Sequence, residues 1–158
     1  MVYRSSQGFT LVELIVVILL IAIVSAYAAS RYIGVGSFSA FAAQEQMISV
    51  IRQVQVNRMQ SNLGDSSANT NFILSIGNQC VGSLAACSSG SHESRSDLVR
   101  VPELSFSATP NLSTVTFDLL GNPEGAASSG INILLTASDS QTRVCVNSQG
   151  YVSRGVCL

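Results

Sequence analysis

Gly8-Phe9-Thr10-Leu11-Val12-Glu13 opens a run that carries no further charge until Arg31. A short polar leader ends at Gly8 and an apolar segment begins at once, with a carboxylate near its start at Glu13. A carboxylate in such a segment is costly in lipid, so its position asks for a function. Phe9 to Ser30 covers 22 residues. As a helix it reaches roughly 33 Å, enough for a bilayer core of about 30 Å. Its Leu, Ile, Val and Ala residues leave no polar face, the pattern of a membrane span or a deeply buried helix. Arg4, the only charge of the leader, suits a cytoplasmic leader by the positive-inside rule.

Two simpler readings compete. Ala26-Tyr27-Ala28 has the small-x-small form of a secretory cleavage site. Glu13 argues against it, because a carboxylate inside the apolar region does not help such a signal. A plain signal anchor, with Glu13 snorkelling to the interface, gives no role to Gly8. Taken together, Gly8-Phe9-Thr10-Leu11-Val12-Glu13-Leu14 resembles the class III signal of type IV pilins and pseudopilins. The resemblance covers the leader, the cleavage point, the acidic residue and the apolar helix. It implies that a prepilin peptidase cuts after Gly8 and N-methylates Phe9. It also implies that Glu13 neutralises the amino terminus of a neighbouring subunit in a filament. A buried carboxylate left alone is strongly unfavourable, and pairing offsets much of that cost.

Beyond the span, Ala40 to Asn62 holds no Gly and no Pro. Phe41, Met47, Ile48, Ile51 and Val54 fall close to helical spacing, with Gln44, Glu45, Gln53, Asn57 and Arg58 as the polar side. That stripe predicts a core-packing face, and Asn62-Leu63-Gly64-Asp65 a C-cap. Gly34 and Gly36 each cost a helix interior about 1 kcal/mol relative to Ala, so a bend is expected near Ile33 to Ser37. Many pilins have a proline slightly earlier; this chain has Ser30 and none there.

After Gly64 the chain becomes rich in Ser, Asn, Gly and Thr. Candidate strands are Phe72–Ile76, Leu98–Val101, Thr114–Phe117, Ile131–Thr136, Arg143–Val146 and Tyr151–Ser153, with residues 77–97 read as a surface loop. Turns are expected at Gly121-Asn122-Pro123, Ser128-Ser129-Gly130 and Ser148-Gln149-Gly150. A long helix followed by strands predicts an α+β fold, the helix packed on an antiparallel sheet. The expected segments are a cleaved leader at 1–8, a membrane or filament-core helix at 9–36 and a head at 37–158. The head divides into a helix continuation at 37–62 and a β-rich part at 70–158. Phe117-Asp118-x-x-Gly121 followed by a terminal hairpin resembles the H-type pseudopilins of type II secretion and the FimT-like pilins. Residues 37–62 resemble the MshC-like minor pilins of MSHA-type pili.

Cys80, Cys87, Cys145 and Cys157 would lie in an extracytoplasmic compartment that permits disulfides. Four cysteines allow three connectivities. Local pairs would close a small loop and tie down the C-terminus. A hairpin at Ser148–Gly150 sets Cys145 opposite about Ser153, so Cys157 reaches it only if the tail curls back to within about 7 Å between α-carbons. The local and the crossed pairings both remain open. A zinc site has the wrong spacing, and His92 is the only histidine. His92 in a polar loop reads as solvated, and Asp118 and Asp139 as lone turn carboxylates. No phosphate loop, nucleophile elbow or metal motif appears, so neither catalysis nor a cofactor is expected. A net charge of −1, with every basic residue an Arg, leaves no electrostatic footprint for nucleic acid. Arg154 is the only cation of the C-terminal stretch, whereas phosphate-driven binding needs several.

These features predict a structural subunit, a minor pilin of an MSHA-like type IV pilus used in attachment. Its partners would be prepilin peptidase, other pilin subunits, the inner-membrane machinery and membrane lipid. It would sit as a single-pass inner-membrane protein with a periplasmic head before entering a filament. The alternatives are a type II secretion pseudopilin and a FimT-like DNA-binding pilin.

Overall fold

The computed structural model describes residues 9–32, 36–65, 67–89 and 95–157. The chain forms two compact units, one ending at Val35 and one from Gly36 onward. The first is the helix α1, Leu11–Tyr32. Glu13 N–H donates to Thr10 Oγ at 3.2 Å, and Leu14 N–H to the Thr10 carbonyl at 3.2 Å, so Thr10 is the N-cap. The side chains from Phe9 to Ala29 are all exposed, as the all-round apolar pattern requires of a helix that is not a globular core element. The expected bend falls mainly on residues 33–35, outside the described residues.

The second unit starts with α2, Gly36–Met59. Its buried residues are Ala40, Ala43, Gln44, Met47, Ile48, Val50, Ile51, Val54, Gln55 and Arg58, most of them with a buried neighbour three or four positions away. Two expectations fail here. Phe41 is half exposed, because Ala40 and Ala43 occupy the face in its place. Gln44 and Arg58 belong to the buried face, because each meets main-chain carbonyls there. Gln44 Nε2 donates to the Arg143 carbonyl at 2.6 Å, and Arg58 Nε to the Phe117 carbonyl at 2.9 Å. Gln55 Nε2 serves the carbonyls of both Gly121 and Gly150, at 2.9 and 2.8 Å. Arg58 also ends the helix. Its guanidinium donates to Ser61 Oγ and to the Leu63 carbonyl, while Ser61 N–H and Oγ take the Arg58 carbonyl. The helix thus stops before Asn62, and Gly64 is not one of the positive-φ glycines that a left-handed C-cap would need.

Two antiparallel four-stranded sheets follow. One has the order β3-β2-β1-β5, from Leu98–Val99, Cys80–Ser83, Leu74–Gly77 and Thr114–Val115. The other has the order β4-β6-β7-β8, from Ser105–Thr109, Ile131–Thr136, Gln141–Val146 and Val152–Arg154. Helix α2 packs on strands of both. Ile131, Ile133, Leu135, Val144, Val146 and Val152 join Met47, Ile51 and Val54 in one core. The fold is α+β, as the order of elements implied.

The expected surface loop at 77–97 does not hold for its described residues, 77–89 and 95–97. They contain β2, buried along its whole length, and a one-turn helix α3, Leu84–Ser88, capped by Ser83 Oγ. Only Val81 in β2 is a strong strand former; burial there comes from close packing of small residues. A β-carbon on Gly82 would overlap the backbone of Asp97 and Leu98. The Ser105–Thr109 strand also escaped the sequence reading, because Phe106 is its only large apolar residue. Cys80 is bonded to Cys87 and Cys145 to Cys157, with α-carbons 5.9 and 5.1 Å apart. Cys145 lies opposite Ser153 in the β7–β8 hairpin. The tail turns back at Gly155, whose φ is +90°, and Cys157 N–H donates to Asn132 Oδ1 at 2.7 Å.

Two connections carry side-chain networks. Asp118 Oδ1 accepts from the N–H groups of Leu120 and Asn122, both at 2.8 Å, and Gly121 has φ +85°. Partial burial alone would raise the Asp118 pKa; hydrogen bonds from the Asn122 side chain and the loop N–H groups bring it below the usual value. The turn touches the β7–β8 hairpin at Gly150, φ +75°, where a β-carbon would run into the Gly121 carbonyl. In the other network Arg95 makes a two-pronged ion pair with Asp97, at 2.9 and 2.7 Å, and Ser83 Oγ donates to Asp97 at 2.5 Å.

Gly150→Ala should cost about 1–3 kcal/mol for the left-handed backbone alone, with the clash adding to it, read as a lower midpoint in thermal unfolding by circular dichroism. The Arg95 guanidinium, opposed by burial and aided by Ser83, holds the Asp97 carboxyl below its usual 3.8. A carboxyl depressed on folding stabilises above its unfolded pKa and loses that contribution as pH falls through the folded value. Asp97→Asn should therefore lower Tm at pH 7. The gap to the parent chain should close as pH drops below about 4, measured by parallel melts across a pH series.

Candidate functional site at the start of the apolar helix

Three consecutive features meet at the beginning of α1. Phe9 precedes the helix and is 84% exposed. Thr10 caps it. Glu13 is the acidic residue of the first turn, and its carboxylate is exposed. A negative charge in the first turn of a helix faces the positive end of the macrodipole, which favours this placement electrostatically. The apolar stretch Leu11–Ala29 is long and apolar enough to cross a membrane. Gly8 lies outside the described residues, so the Gly8–Phe9 junction is placed only on its Phe9 side. Sequence reasoning weighed Glu13 and passed over Thr10. The signal was there: Thr10-Leu11-Val12-Glu13 is the S/T-x-x-E pattern of a capping box.

The remaining candidates lie in the second unit. The four cysteines form the two disulfides, so none is a free thiol. Asp118 organises a turn. Asp139 accepts from Ser138 Oγ at 3.1 Å in the β6–β7 connection. His92 lies outside the described residues. No group of three or more His, Cys, Asp or Glu residues suited to a metal occurs among the described residues. Arg154 is held by Glu45 at 2.6 Å, which holds the Glu45 carboxyl below its usual value. Arg52 donates to the Val152 carbonyl at 2.9 Å. Two of the cations on this side of the second unit are thus engaged within it.

Residues 3–29 match the family described as the prokaryotic N-terminal methylation motif. No curated protein matches the chain. Two crystal forms of the type IV minor pilin FimU from Pseudomonas aeruginosa are similar in structure, each with a TM-score of 0.46. Their identities to this chain are 10% and 11%; both matches cover 72% of this chain, and 90% and 85% of the two FimU chains. The methylation motif leads into an exposed apolar helix with Glu13 in its first turn, and a separately folded α+β unit follows. The chain thus carries a prokaryotic N-terminal methylation motif at the start of its apolar helix.

Proposed function

We propose that this protein is a minor pilin, made as a prepilin and built from the inner membrane into a type IV pilus of the MSHA-like kind used for attachment. The observation that carries the reading is the methylation motif over residues 3–29, joined to a helix whose apolar side chains are exposed on every side. In this reading prepilin peptidase removes residues 1–8 and methylates the new amino terminus at Phe9. Residues 9–36, which contain helix α1, then hold the protein in the bilayer with residues 37–158 as the periplasmic head.

Glu13 then serves assembly. Its carboxylate is tolerated at the rim of the apolar segment, and inside a filament core it needs a cation. The cleaved amine of a neighbouring Phe9 supplies one. The protein's role is structural, as a subunit among other pilins, with the disulfides bracing its head outside the cytoplasm. The Arg154–Glu45 pair and the engaged Arg52 favour a head without a phosphate-tracking surface.

Glu13→Val should insert and be cut like the parent chain yet be depleted at least tenfold from sheared filaments, measured by immunoblot of membrane and shear fractions. Equal amounts of variant and parent in the shear fraction would remove the assembly role. Deleting the gene should reduce surface pili; loss of exoprotein release with pili intact would move the protein to a type II secretion pseudopilus.

A further inference from the structure

Among the described residues of the second unit, Leu120 is the most exposed large apolar side chain, at 75%, and Leu119 beside it is half exposed. A single exposed leucine is ordinary on a protein surface, but this pair stands on a fixed tip. Asp118 Oδ1 holds the N–H groups of Leu120 and Asn122, Asp118 N–H donates to the Asn122 carbonyl at 2.9 Å, and Gln55 holds the Gly121 carbonyl. A tip already ordered loses little conformational freedom when it docks. Its charge is acidic. Asp118 opens the turn and Glu124 follows it, with Glu124 Oε2 buried and without a hydrogen-bond partner among the described residues. No Lys or Arg occurs from Val101 to Thr142, and Arg58, which donates to the Phe117 carbonyl, is buried.

A complement to this tip lies on the same unit. An open groove of about 370 Å³ runs between α2 and β8. Buried Ile48 and Val152 line it, and exposed Arg52 and Arg154 stand along it with Glu45. Two arginines against one glutamate leave the groove with a net positive charge. That suits one carboxylate rather than a row of phosphates. Tyr151, 62% exposed, lines this groove and also a neighbouring cavity of about 220 Å³ against the Cys145–Cys157 bond. An exposed tyrosine between two hollows has the character of an interface anchor. The chain's own tip does not line its own groove. We propose that a second copy of this chain docks its Asp118–Gly121 turn in the α2–β8 groove, with Leu120 seated against Tyr151 and Ile48 and the acidic end turned to Arg52 and Arg154. Apolar burial supplies the attraction, and the opposite charges select the orientation. The contact is heterologous, tip on one copy and groove on the other, so a tip and a groove stay open for further copies. It is carried by the second unit alone and does not rest on the pilus reading.

The test uses the full chain, purified with its two disulfides intact and held in detergent micelles. One tagged copy carries Leu119→Cys, which keeps Leu120. The other carries Ser49→Cys, exposed on α2 and one turn from both Glu45 and Arg52. The copies are mixed and briefly oxidised, and mass spectrometry reads the bond between positions 119 and 49, which forms only where the two backbones come close. Linkage should exceed by about tenfold that of a pair with Ser107→Cys in place of Leu119→Cys. Ser107 is exposed on β4, at the opposite edge of the same sheet from β8. Helix α1 is the same in both pairs, so the ratio reports contact between the second units. Adding Leu120→Asp to the first copy should bring linkage down to the Ser107 level, while Leu120→Met should keep it within about twofold. Equal linkage from the two pairs would overturn the proposal, as would linkage that Leu120→Asp leaves unchanged.

Discussion

The second unit depends on how the buried face of α2 meets the carbonyl groups beneath it. Apolar side chains such as Met47, Ile51 and Val54 supply the bulk of the driving force, and that force is non-directional. The donors are directional. Gln44 reaches the Arg143 carbonyl, Gln55 those of Gly121 and Gly150, and Arg58 that of Phe117. A slide of α2 by one turn would keep much of the apolar contact and break all of these bonds. Each buried carbonyl left without a partner costs about 1–3 kcal/mol. The polar residues on the helix therefore set its register, while the apolar ones give the energy.

The same donors tie together segments far apart in sequence. Gln55 joins the turn at Gly121 to the hairpin at Gly150, and the close approach of these two backbones leaves no room for a side chain at position 150. The sheet β3-β2-β1-β5 has strands of only two to four residues, too short to hold by ladder bonds alone. Its stability is supplemented from outside the ladders by the Cys80–Cys87 bond and the Arg95–Asp97–Ser83 cluster. At the other end of the unit, Cys145–Cys157 and the Asn132 side chain hold a tail that has left the sheet at Gly155.

What could be read from the sequence follows from this division. Ile131–Thr136 was legible to the residue because its inward positions Ile131, Ile133 and Leu135 are large and apolar and alternate with half-buried ones, between turn residues. The hairpin at Ser148–Gly150 was legible because Gly150 marks its left-handed position. Cys80–Ser83 was hidden: its burial arises from the close approach of Asp97 and Leu98 to Gly82, a long-range contact with no local signature. Gln44 and Arg58 looked solvent-facing for a related reason. A helical wheel marks which residues share a face, and it is silent on carbonyls waiting opposite that face. At the site, the Glu13 carboxylate stood out by its cost. Thr10 was legible in the Thr10-Leu11-Val12-Glu13 pattern, and is easily passed over because a hydroxyl in an apolar run looks innocuous.

Thr10 and Glu13 belong to one local device. The amide and the carboxylate of Glu13 face different tasks: the amide is consumed by the Thr10 hydroxyl within the chain, and the carboxylate is left outward in the first turn. Had that amide been bonded to the Phe9 carbonyl, the helix would begin a residue earlier and the carboxylate would sit one position deeper in it. The N-cap therefore sets two distances together, from the helix start to Phe9 and from the helix start to Glu13. In the filament proposed above, the carboxylate would meet the amine that cleavage before Phe9 would create on another copy. Both ends of such a pair are measured from the same helix start. A single hydroxyl thus sets the helix start from which the positions of both Phe9 and Glu13 are measured.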